Sequence, residues 1–119
     1  MIKRLHQSTC NAFRGLRFVW RGEPNFRLEV LAALLVLLVA YLFQFSYGEI
    51  SILLTAIAAV LTAEILNTII EDLLDAVLPS QADHVGRIKD ITAGAVLLLS
   101  LFAVAAGVLT VVHHFNVRA

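Results

Sequence analysis

Three long apolar runs organise this chain, and most of its charge is pushed to their ends. Val30–Phe43 is uninterrupted and extends to Leu28 on one side and Phe45 on the other. Ile50–Ala63 carries no charge and continues through Ile65, Leu66, Ile69 and Ile70. Ile91–Val112 is free of charge over its whole length. A bilayer span needs roughly 20 apolar residues. The third run meets that length directly, and the first two meet it when their polar ends sit in the interface. The pattern therefore predicts spans over 28–47, 50–70 and 91–112.

A different pattern precedes them. Ile2, Leu5, Phe13, Leu16, Val19 and Trp20 recur at helical spacing, with Lys3, Arg14, Arg17 and Arg21 on an adjacent narrow face. Such a helix is expected to lie in the headgroup layer, its apolar side inward and its cations toward anionic lipid, the alternative being an ordinary cytoplasmic helix packed on a partner. Gly22-Glu23-Pro24 should end it, because proline disfavours helical geometry in the residue before it. Glu23 is thereby placed near the membrane surface, and Arg27 and Glu29 at the mouth of the first span are expected to snorkel or pair. The expected fold is a single-domain all-α membrane protein over 1–119. It has three transmembrane helices plus an N-terminal amphipathic surface helix over 1–22.

Composition reinforces this picture, since 60% of the 119 residues are hydrophobic. Three such runs leave too little polar sequence to cover them in a water-soluble fold. The formal net charge of zero hides an asymmetry, because six of the nine Lys and Arg residues precede the first span. The turn at Ser46–Glu49 has none, whereas the loop between Asp75 and Asp90 carries Arg87 and Lys89. The positive-inside rule puts the N-terminus and that second loop in the cytoplasm. The first apolar run starts late and lacks a small-residue cleavage pattern, so the N-terminal segment is expected to persist. Cys10 is the lone cysteine, which excludes an internal disulfide. His113-His114 is expected to mark the far interface.

The polar exception is in the second run. Glu64, Asn67, Glu71 and Asp75 fall within an arc of about 80° on a helix turning about 100° per residue. Acids near membrane depth are costly unless they face protein interior, a metal or water. Glu64 and Glu71 are roughly 10 Å apart along the helix axis, at about 1.5 Å per residue. That separation suits two tasks, one acid binding a cation and the other acting as a base. Polar glue between helices is the competing reading, strongest for Asn67 alone. Lys89 and Asp90 are expected at a helix start, where exposed amides and a lysine favour phosphate. Thr92, Gly94, Ala95 and Gly107 would let the third span pack closely. The chain has neither a G-x-x-x-x-G-K-[ST] loop nor G-x-G-x-x-G, which removes the P-loop and Rossmann solutions. Its histidines lack zinc-ligand spacing.

These residues resemble the prokaryotic diacylglycerol kinase/undecaprenol kinase family. The resemblance rests on Glu64-Ile-Leu-Asn67-Thr-Ile-Ile-Glu71, then Asp75 and Lys89-Asp90. Upstream it includes Phe13-Arg-Gly15-Leu-Arg17, Glu23 and Asn25-Phe-Arg27, and at the third span Ala93-Gly-Ala-Val-Leu. It implies a small membrane kinase that uses Mg-ATP to phosphorylate a lipid hydroxyl, as a homotrimer with active sites shared between protomers. It implies Glu64 as catalytic base, with Asn67 lining the active site. Glu23 and Glu71 would be the Mg²⁺ ligands, and Lys89, Asp90, Arg4 and Gly15 would form the nucleotide site. The expected location is the bacterial cytoplasmic (inner) membrane, multi-pass, with N-terminus and active site cytoplasmic and no nucleic-acid partner. Two departures leave the nucleotide preference open. Ser80-Gln81-Ala82 stands where the family usually has Glu-Tyr-His, and Asn11 stands where an aromatic residue is common. The acceptor, diacylglycerol or undecaprenol, also stays open. A small ion-coupled transporter and a non-catalytic membrane protein are the readings from other classes.

Overall fold

The computed structural model describes residues 1–78 and 83–119, which form four helices: α1 (Ile2–Gly22), α2 (Pro24–Leu42), α3 (Tyr47–Val77) and α4 (Asp83–Arg118). The last three are each long and apolar enough to cross a membrane. α3 and α4 pack along one another most extensively, α2 lies more lightly on α3, and α1 meets α2. Most large apolar side chains of the spans are exposed, Leu35, Leu98 and Leu109 among them. That is the surface a lipid-facing bundle presents, and one a water-soluble monomer rarely tolerates.

α1 ends where its sequence demands. Glu23 is extended at φ −118° and ψ 100°, and its N–H donates to the Val19 carbonyl at 2.9 Å. Pro24 then opens α2 at a position where its missing N–H has no helical partner to lose. Arg27 neither pairs with an acid nor simply snorkels. Its Nη1 donates to the carbonyls of Trp20 at 3.1 Å and Arg21 at 3.3 Å. These are orphan acceptors at the end of α1, so Arg27 caps that helix from the start of the next.

α2 stops at Leu42, five residues before the end expected from hydropathy. Gln44 takes a left-handed conformation at φ 55°. The Phe45 N–H donates to the Ala40 carbonyl at 2.9 Å and the Gln44 N–H to Tyr41 at 3.2 Å. That pair of bonds is a Schellman terminus, usually built on glycine. A non-glycine residue there costs roughly 1–2 kcal/mol. Phe45 offsets the strain by burying its ring with Ala40 and Leu53, against Ile50 and Val111. Ser46 then starts α3 with a capping box: its Oγ accepts from the Glu49 N–H at 3.2 Å, while its own N–H donates to Glu49 Oε2 at 2.8 Å.

α3 runs 31 residues. At about 1.5 Å per residue it spans roughly 46 Å, against about 30 Å of hydrocarbon. About ten residues must therefore project beyond the apolar layer. With the polar Ser46–Glu49 cap at one interface, a helix of this length carries the end bearing Asn67, Glu71 and Asp75 to the other. α4 likewise begins before its apolar run, at Asp83.

Candidate functional site

One face of α3 carries the polar stripe into the bundle. Glu64 is 7% exposed and Thr68 5%, whereas Asn67 and Glu71 are half-buried. The helix is continuous through all of them, because Thr68 Oγ1 returns its hydrogen bond to the Glu64 carbonyl at 3.1 Å and leaves the ladder intact. Asn67 Nδ2 donates to Glu71 Oε1 at 3.3 Å. The Asn67 Oδ1 atom is buried and accepts no hydrogen bond among the described residues. Among the described residues Asn67 therefore bonds along its own helix, to Glu71, rather than across to another.

Glu29 joins this set from α2. Its Oε2 is also buried without a partner. The charge of Glu29 couples to that of Glu64, and Glu64 in turn feels Glu23 and Glu71. Glu23, Glu29 and Glu71 thus all lie within electrostatic reach of Glu64 toward one end of the bundle, and the Glu29 Oε2 and Asn67 Oδ1 atoms are without a partner among the described residues. A buried polar atom left unsatisfied costs about 1–3 kcal/mol. An oxygen-rich, cation-poor cluster of this kind is completed by a hard cation or by donors from a ligand.

The cation supplied from α4 is Lys89. Its Nζ donates to Asp75 Oδ1 at 2.6 Å. The hydrogen bond to Asp75 holds the Lys89 ammonium above its ordinary proton affinity, and the Asp75 and Glu71 charges add to the effect. The expectation that Lys89 and Asp90 open a helix is corrected here. α4 is already helical from Asp83, and Gly86 does not interrupt it. The Lys89 and Asp90 amides are therefore committed to the helix, and any anion contact by Lys89 falls to its side chain.

The remaining expected residues sit farther out. Glu23 occupies the α1–α2 break, half-buried. Arg4 and Gly15 are exposed on α1, and neither makes a hydrogen bond or ion pair to the stripe among the described residues. Asn11 is exposed and accepts from Gln7 Nε2 at 3.2 Å. Asp90 is exposed on α4. Ser80-Gln81-Ala82 lies outside the described residues. Among those described, no three Asp, Glu, His or Cys side chains close on one point as a metal cage. Magnesium does not require one, since it is usually held by one or two carboxylates plus phosphate oxygens and water. Glu71, with the amide of Asn67 beside it, offers the one carboxylate and neighbouring oxygen that such a site takes from the protein.

Sequence reading passed over two members of the site. Glu29 is expected from sequence to snorkel or pair, and its place just inside an apolar span is the signal for more. Thr68 carried no signal beyond its place on the same face as Glu64. Beside Glu29 an apolar groove of about 590 Å³ opens between α2, α3 and α4. Small residues, including Ala32, Ala33, Ala103 and Gly107, give it its width. The groove therefore leads along the apolar layer toward the acidic end.

Comparison with known proteins bears on this arrangement. The family model described as prokaryotic diacylglycerol kinase matches residues 10–111. Diacylglycerol kinase of Escherichia coli (strain K12) is 30% identical over 113 residues, covering 95% of this chain and 93% of the relative. Undecaprenol kinase of Bacillus subtilis (strain 168) is 31% identical over 108 residues, covering 91% and 88% respectively. Diacylglycerol kinase of Synechocystis is 29% identical and covers 88% of this chain and 65% of the relative.

Proposed function

The chain belongs to the prokaryotic diacylglycerol kinase family and is a membrane lipid kinase, and we propose that it transfers the γ-phosphoryl group of ATP, with Mg²⁺, to the hydroxyl of diacylglycerol to give phosphatidic acid. The observation that carries this reading is the buried Glu64 carboxylate on the α3 face that also bears Asn67 and Glu71, within electrostatic reach of Glu29, which lines the apolar groove.

Phosphoryl transfer asks a protein for positioning and charge neutralisation more than for covalent chemistry. Glu64 accepts the proton of the lipid hydroxyl as that oxygen attacks, a task requiring hydrogen-bond reach of the substrate. The acyl chains stay in the apolar layer along the groove, so the hydroxyl arrives at the interface where α3 turns polar. Asn67 lines the site and orients Glu71 through its amide. Glu71 and Glu23 are the residues that would hold Mg²⁺, which when bound would neutralise phosphate charge. Lys89 contacts phosphate through its Nζ once that group leaves Asp75, while Asp90, Arg4 and Gly15 complete the nucleotide side.

Arg4 and Gly15 lie away from the stripe of their own chain, which supports a homotrimer with active sites shared between protomers. The six cations before the first span support placing the N-terminus and stripe on the cytoplasmic side of the bacterial inner membrane. Undecaprenol as acceptor is the second reading, favoured by the Bacillus relative and by Ala93-Gly-Ala-Val. Transport is disfavoured because the acids gather at one end of the bundle, whereas an ion relay needs groups at several depths.

The test is transfer from labelled ATP in mixed micelles with Mg²⁺, offering diacylglycerol and undecaprenol separately. Label in phosphatidic acid is expected, and faster label in undecaprenyl phosphate would favour the second reading. Failure to label any lipid hydroxyl would refute the proposal.

A further inference from the structure

The opposite end of the bundle holds a second buried polar cluster that phosphoryl transfer does not use. His114, in the last turns of α4, is 3% exposed. Its Nε2 lies 2.9 Å from the Phe43 carbonyl oxygen, and its Nδ1 lies 2.9 Å from Glu49 Oε2. The ring stacks on Phe45 with centroids 3.9 Å apart and planes at 19°. Phe115 meets the same ring edge-on at 5.2 Å. One turn on, Arg118 Nη2 donates to the Gln44 carbonyl at 2.8 Å.

The partners of each nitrogen decide where the protons are. A carbonyl oxygen only accepts, so Nε2 must carry hydrogen. Glu49 Oε2 already accepts the Ser46 N–H at 2.8 Å, and Glu49 sits in the first turn of α3. Amide donation and the helix dipole both favour its ionised form. Nδ1 therefore faces a carboxylate and must carry hydrogen as well. An imidazole with hydrogen on both nitrogens is a cation.

The geometry points to His114 as a protonated clamp: its imidazolium ties the α2–α3 turn and the start of α3 to the end of α4, and loss of one proton releases that tie. The remaining titratable or charged groups at this end, among the described residues, are Tyr41 on α2, Tyr47 on α3, and His113 and Arg118 on α4. Tyr41 is 78% and Tyr47 93% exposed. Only Glu49 touches the ring as an ionisable partner. When one proton leaves to solvent, the neutral ring can donate to Glu49 Oε2 or to the Phe43 carbonyl but not to both, and a lone pair then faces the other oxygen. The Phe45 stack then loses one of its two anchors. The groove makes this consequential, because α2 lies only lightly on α3 along its length and the clamp fixes the turn at its end.

Purified full-length protein in lipid nanodiscs, with ¹⁵N-labelled histidine, tests the inference. Both ring nitrogens of His114 are expected to show attached hydrogen while the Glu49 and Phe43 contacts are in place. A proton held by the fold but not by the unfolded chain gives stability that is lost as pH rises. The unfolding midpoint of the wild type should therefore fall as pH rises through the loss of the second ring hydrogen seen in the nitrogen spectra. Both Glu49→Gln and His114→Gln should lose that fall while keeping a hydrogen-bonding side chain. A bare nitrogen on His114 at every pH at which the fold persists would overturn the proposal. So would a wild-type midpoint flat with pH, or an undiminished fall in both variants. The nitrogen measurement needs no variant, so a variant that does not fold leaves it decisive.

Discussion

Replacing Glu64 with glutamine removes a charge and almost no volume, which separates chemistry from packing. Glu64 is 7% exposed, so bulk water has little access to substitute for a lost base. Its carboxylate also lies among like charges, coupled to Glu23, Glu71 and Glu29. Neutralising it relieves repulsion in the folded protein, so stability is expected to hold or rise. A positioned general base contributes roughly 10²–10⁴-fold to rate. The turnover number should fall by about that factor, roughly 3–5.5 kcal/mol at about 1.36 kcal/mol per tenfold. The assay is transfer of label from ATP to lipid in mixed micelles, with nucleotide affinity and unfolding midpoint measured on the same preparation. The account requires lost turnover with nucleotide binding and stability retained. Near-normal turnover would refute the base assignment, and rate loss that merely tracked unfolding would remove its chemical basis.

Other perturbations probe different parts of the molecule. Glu71→Ala should raise the Mg²⁺ concentration needed for half-maximal rate, and an unchanged metal dependence would count against Glu71 as a ligand. Leu53→Ala empties a 3% exposed position between Ala40 and Phe45. It should cost about 2 kcal/mol, the low end for such truncations because lipid tails compete with the packing. Denaturation in mixed micelles reads that loss, and no shift would mean that the cluster does not hold the helix ends together. Glu49 has a proton affinity below the ordinary carboxylate value of 4.5, held down first by the Ser46 N–H and then by His114. Its contribution to stability is therefore present above about pH 4.5 and lost as pH falls further. The wild-type unfolding midpoint should drop on acidification in that window. Glu49→Gln should lack this component, and an equally steep drop in the variant would contradict the assignment.

Much of this arrangement was legible along the chain because it is periodic. The apolar runs gave the three spans, and Gly22-Glu23-Pro24 gave the break at Glu23. Helical spacing put Glu64, Asn67 and Glu71 on one face, as α3 has them. Features made by contacts distant in sequence were not legible. Hydropathy carried the first span on to residue 47, but α2 ends at Leu42 because Gln44 accepts a conformation usually left to glycine and Phe45 buries in compensation. The sequence placed a helix start near Lys89, yet helical backbone begins at Asp83 and tolerates Gly86. Glu29 looked like an interfacial anion until α2 turned its carboxylate toward Glu64. The Glu49–His114 contact joins residues 65 positions apart, and neither residue carries a local pattern that announces it.

The central claim is that nucleotide and metal meet lipid at the Glu64–Glu71 end of the bundle. Paramagnetic broadening of amide resonances by Mn²⁺ with ATP, standing in for Mg²⁺, tests it most directly in nanodiscs. The account predicts that Glu23, Asn67, Glu71 and Lys89 broaden first while residues around His114 stay sharp. Broadening centred on the His114 end, or spread evenly over both ends, would contradict it.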